Sequence, residues 1–144
     1  MKASSGPFAQ FGTDRAAESE GAWMDYGTFR LRLRRAGPSN KSFVRQMEAQ
    51  YLKPFARKLD AGTMTDDQSI PILARIYAET IVVDWDSDLG PHLVEGEDGK
   101  PLKFSPEACA DLFVKIPDFF RIVQRDASSL ETFRQAQAEA DAKN

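Results

Sequence analysis

Few residues in this chain have types and spacing that could do chemistry. Asp84-x-Asp86-x-Asp88-Leu89-Gly90, followed by Glu95, places carboxylates at positions 1, 3, 5 and 12, the spacing with which an EF-hand surrounds calcium. Leu89 stands where that loop needs Gly for its sharp turn, Pro91 stands where an aliphatic residue normally pairs with a second loop, and the chain has no second loop. The stretch reads as an unliganded acidic loop. His92 has no Ser, Cys or carboxylate at a spacing that would make it a general base, and its Pro and Gly surroundings suggest an exposed loop. Cys109 shares an i, i+3, i+4, i+7 stripe with Leu112, Phe113 and Ile116, which makes it a core residue rather than a nucleophile. Gly96-Glu97-Asp98-Gly99-Lys100 lacks the spacing and the Ser/Thr of a P-loop, and its acids would repel phosphate. No enzyme, cofactor or metal centre is expected.

The elements that position these residues belong to one domain spanning 1–144, since 144 residues with 42% hydrophobic and 28% charged side chains suit a single core. One Cys cannot form an internal disulfide, so a reducing cytosol is the expected compartment. No run of eighteen apolar residues occurs and the N-terminus lacks a signal-peptide pattern, so no membrane association is expected. Residues 1–58 carry 11 Lys/Arg against 5 Asp/Glu, whereas 59–144 carry 8 against 17. The split leaves either two solvated surfaces of opposite sign or a means for copies to associate head to tail.

Residues 1–20 form a flexible arm, with a short strand allowed around 8–12. Residues 21–36 form a β-hairpin: strict alternation puts Phe29, Leu31 and Leu33 inward and Arg30, Arg32 and Arg34 outward, with Gly27 free to take positive φ in the turn. That Arg row beside Trp23 and Tyr26 could meet nucleic acid, but a ribbon needs a polar wet face and the net acidity repels a polyanion. No nucleic acid is expected.

A helical core over 37–127 follows. Phe43, Val44, Met47, Tyr51, Leu52, Phe55 and Leu59 give a core helix over 40–61, which Pro54 kinks or splits. Thr65-x-x-Gln68 is a capping box for a helix over 65–83, while Pro71 means that its start lies nearer Ser69 or its first turn is distorted. The acidic loop 84–104 contains a small hairpin that turns at Asp98-Gly99. Ser105-Pro106-Glu107 opens the next helix, Pro117 breaks it, and a short helix with Phe119, Phe120, Ile122 and Val123 follows. Ser128-x-x-Glu131 caps a weakly packed tail helix over 128–144. The expected fold class is α+β, mainly α: an N-terminal β-hairpin packed on a small helical bundle, a short hairpin loop between the central helices, and a C-terminal tail helix.

Several segments together carry a family resemblance. They are Gly21-Ala22-Trp23-Met24-Asp25-Tyr26-Gly27 with Phe29-Arg30, Arg35-Ala36-Gly37, Ser39-Asn40-Lys41 and Lys53-Pro54-Phe55. Further along come Tyr77-Ala78-Glu79 through Val83, Trp85, Glu97-Asp98-Gly99-Lys100, Phe104-Ser105-Pro106-Glu107, and Phe133-Arg134 with Ala142-Lys143-Asn144. In order and spacing they resemble tail assembly chaperones of long-tailed, siphovirus-like phages and prophages, over residues 20–144. Asp84, Asp86, Pro71 and the insertion at 89–94 depart from the family pattern.

The resemblance implies a non-catalytic factor in the host cell cytoplasm. It would bind the tape measure protein, promote polymerisation of the tail-tube protein around it, and be absent from the finished virion. It also implies a longer frameshifted form, for which Lys143-Asn144 would be the short ending. The competing expectation is a structural adaptor or connector subunit of a phage head or tail. For partner binding, Phe119, Phe120 and Phe133 are the candidates: adjacent Phe119 and Phe120 cannot share one narrow stripe equally, and Phe133 lies on a helix with few apolar neighbours. The alternative is that Phe119 and Phe120 are ordinary core residues.

Overall fold

A computed structural model describes residues 6–8 and 19–143. The strand expected around 8–12 and most of the arm at 1–20 lie outside the described residues. Strands β1 (Ala22–Asp25) and β2 (Phe29–Leu33) form the expected hairpin, in register Ala22↔Leu33, Trp23↔Arg32, Met24↔Leu31 and Asp25↔Arg30. Gly27 takes φ 97°, a conformation a Cβ would strain, and its N–H donates to the Asp25 side chain at 2.8 Å. Ala22, Met24, Leu31 and Leu33 are buried, while Phe29 is half-buried at the end of its strand.

The helical segment after the hairpin differs from the expected core helix. It runs as α1 (Lys41–Met47), a π-helical turn (Glu48–Leu52) and α2 (Ala56–Ala61), and none of its residues is fully buried. The π-turn lies just before Pro54, with the Lys53 N–H donating to the Glu48 carbonyl, so the split takes the form of a widened turn and a break. Asn40 caps α1 through Phe43 N and donates Nδ2 to the Thr80 carbonyl, and Phe43 packs edge-on against Tyr77. One side of the segment is thereby seated on the next helix while the other faces solvent.

That next helix, α3 (Asp66–Thr80), starts at its capping box with Pro71 inside it. The reciprocal Thr65–Gln68 bonds hold the start, while Pro71 removes the hydrogen bond that the Asp67 carbonyl would have received.

The helix expected to reach residue 83 stops at Thr80, and the stretch expected as helix end and then loop is strand β3 (Val82–Ser87), antiparallel to β2 with Arg30↔Asp86, Leu31↔Trp85 and Arg32↔Asp84. Aspartates disfavour strands in isolation, but here they stand opposite the Arg row of β2, and opposite charges across a ladder stabilise the pairing. Arg30 donates Nε to Asp86 at 2.9 Å, its second contact makes the pair bidentate, and its guanidinium lies 4.5 Å from the Trp23 ring centroid.

A two-residue strand β4 (Gly90–Pro91) completes the sheet order β1-β2-β3-β4, and β5 (Leu93–Glu95) pairs with β6 (Pro101–Lys103) as the small hairpin. Helix α4 (Pro106–Lys115) begins at the Ser105 cap, and α5 (Pro117–Ser128) follows directly after Ile116. Helix α6 (Leu130–Lys143) is capped by Ser129 rather than Ser128, through Thr132 N at 3.1 Å. It packs on β1 and α5, and Phe133 is 1% exposed, so the near end of the tail is anchored in the core. The architecture is α+β and mainly helical, as expected. Among the described residues no helix is long and apolar enough to cross a membrane.

Candidate functional site

Two of the acidic residues singled out from the sequence, Asp84 and Asp86, serve the fold. Asp84 accepts from Trp85 N at 2.8 Å and contacts His92 Nδ1 at 2.6 Å, while Asp86 is engaged by Arg30. His92 takes positive φ (65°), which aims its carbonyl at both Trp85 Nε1 (3.1 Å) and Phe104 N (2.8 Å). Among the described residues no group of three or more His, Cys, Asp or Glu is placed to hold a metal ion.

Cys109 is completely buried, and burial alone pushes its thiol far above the ordinary value. Burial also raises Tyr26 and Tyr77; for Tyr26 the charge and hydrogen bond of Asp126 add to it, the hydroxyl donating to Asp126 Oδ2 at 2.9 Å. All three groups keep their protons to higher pH when folded than unfolded. The unfolded chain releases them from ordinary values of 9.0 for Cys and 10.0 for Tyr, so it binds fewer protons above about pH 9 and stability falls there. Chemical denaturation should therefore show stability unaffected by these groups below pH 9 and declining between about pH 9 and 11, with Tyr26→Phe and Cys109→Ala each flattening the decline.

What the fold leaves open is an apolar groove of about 660 Å³ where the turn ends of the sheet meet the ends of α4 and α5. Phe29, Leu89, Val94, Leu112, Ile116 and Phe119 line it. It continues into a second lobe of about 620 Å³ that shares Val94, Glu95, Leu112 and Ile116. Leu89 is 48% and Ile116 49% exposed. Asp88 and Glu95 border the first lobe, and Glu97, Asp98 and Asp111 the second, where Lys115 reaches Glu97 at 2.9 Å and Asp111 at 3.0 Å. Such a groove can bury apolar side chains of a partner and attract basic ones to its rim.

The three aromatic candidates separate here. Phe119 is half-buried in the groove wall, edge-on to Tyr26 (5.1 Å) and Phe29 (5.4 Å). Phe120 and Phe133 are each 1% exposed and lie in the core cluster, so neither offers surface to a partner in this conformation. Phe120 turns inward because α5 rests its apolar stripe on α3 and α4; Phe133 does so because α6 is held against β1. Leu89 and Ile116 were missed: one sits in an acidic run, and the other read as an inward residue of α4 although Pro117 ends that helix beside it.

No curated protein matches the chain, and no solved structure does. A family profile described as YdaY prophage protein matches residues 39–144, which takes in everything from the cap of α1 through α6 and leaves out the β1–β2 hairpin. With most of its length matched, the chain belongs to the YdaY prophage protein family.

Proposed function

We propose that this prophage protein is a non-catalytic tail assembly chaperone that binds the tape measure protein in the host cytoplasm and is absent from the finished particle. The observation that carries the reading is the open apolar groove around Leu89, Ile116 and Phe119. A long tape-measure helix exposes an apolar face until the tube encloses it, and a small protein with an apolar groove can cover part of that face in the meantime. Membership of a prophage family and the resemblance to tail assembly chaperones point the same way.

The test is co-production of the tape measure protein with wild type, Leu89→Glu, Ile116→Glu and, as control, Val114→Glu, which is exposed on α4 but outside the groove. All three substitutions replace exposed side chains, so the variants should melt close to wild type. Wild type and Val114→Glu should keep the client soluble, and each groove variant should bind it about 30-fold more weakly. A client that stays insoluble with wild type contradicts the chaperone reading. Unchanged recovery with both groove variants contradicts the site.

A further inference from the structure

We infer that copies of this chain associate head to tail, the acidic-rimmed groove of one copy receiving the outer face of the 41–61 helical segment of the next. Both halves of the contact are present in one chain. On the segment, Lys41, Val44, Arg45, Glu48, Ala49, Leu52 and Lys53 recur at spacings of three and four and are all exposed. Val44 is 46% and Leu52 42% exposed, so this side carries apolar surface that the described residues do not cover, flanked by three cations, Lys41, Arg45 and Lys53, against one carboxylate, Glu48. The opposite side of the same segment, through Phe43 and Tyr51, is the one seated on α3.

On the groove, Leu89, Leu112 and Ile116 form an apolar floor between Asp88, Glu95, Glu97, Asp98 and Asp111. Lys115 neutralises part of that rim by pairing with Glu97 and Asp111, while Asp88 borders the first lobe and Glu95 the junction of the two. An apolar stripe with basic flanks thus faces an apolar floor with acidic flanks, the complementarity that sets partner choice and register. The charge asymmetry of the whole chain, basic before residue 59 and acidic after it, has the same sense.

Because the two surfaces differ, the contact is heterologous, and a pair of copies keeps one free groove on one member and one free helix on the other for further copies. The association concerns the chain alone and does not depend on the tape-measure reading. Where the client takes the groove, it displaces the second copy.

Sedimentation velocity on the purified chain, over a concentration series at about 50 mM and about 500 mM salt, tests this. Wild type should grow with concentration at low salt and shift towards monomer at high salt. Ile116→Glu, which spoils the groove, and Lys41→Glu/Lys53→Glu, which reverses the helix flank, should each associate at least about 10-fold more weakly. Mixed together, the two variants should give a heterodimer and nothing larger, because one supplies an intact helix and the other an intact groove. Leu52→Ser serves as a second helix variant should the charge reversal disturb the fold by circular dichroism. Wild type that stays monomeric throughout overturns the proposal. So does a helix variant that associates like wild type, or a mixture that remains monomeric while wild type assembles.

Discussion

Trp85→Ala lowers the free energy of unfolding by about 3–5 kcal/mol, a large share of the 5–15 kcal/mol that ordinarily holds a domain. Trp85 is 0% exposed on β3, opposite Leu31 of β2, with Phe104 edge-on to its ring at 5.2 Å. Its indole N–H donates to the carbonyls of His92 (3.1 Å) and Leu102 (3.2 Å), so one side chain ties the four-stranded sheet to the β5–β6 hairpin. Truncation leaves a cavity and removes the donor that joins the two sheets. Urea unfolding should show a lower midpoint with an unchanged slope, and a loss below about 1 kcal/mol would contradict the packing described.

Phe120→Ala costs about the same, 3–5 kcal/mol. The ring stacks on Phe113 at 4.8 Å and meets Tyr77 edge-on at 5.4 Å, joining α5 to both α4 and α3. Any loss of client binding in this variant would therefore report unfolding rather than a lost contact. Phe119→Ala differs, because that ring is half-buried on the groove wall and should cost less. Comparable melting of the two variants would show that the inward and outward faces of α5 have been assigned wrongly.

The local signals in the chain were legible where one segment decided the outcome by itself. Alternation through Phe29, Leu31 and Leu33 with Gly27 specified the hairpin, and Ser105-Pro106 specified a helix start, whereas Pro71 left the start signalled by Thr65–Gln68 open. Strand β3 was not legible in that way. Its aspartates argue against a strand until they are placed opposite Arg30 and Arg32, a pairing between residues far apart in sequence. The 41–61 segment failed for another reason: periodicity reveals which side of a helix is apolar, but not whether neighbours cover it. Of the groove, only Phe119 was visible beforehand. Its other walls come from a strand, a turn, a hairpin and a helix end, which meet only when the chain is folded.

Hydrogen exchange of the chain with and without the proposed tape-measure client is the most direct measurement of what the groove does. Client binding should slow exchange at 87–96 and 112–119, the stretches that carry Leu89, Val94, Leu112, Ile116 and Phe119, and leave the exposed face of 41–61 unprotected by the client. Protection confined to other surfaces, or none at client concentrations that keep the tape measure protein soluble, would contradict a chaperone that works through this groove.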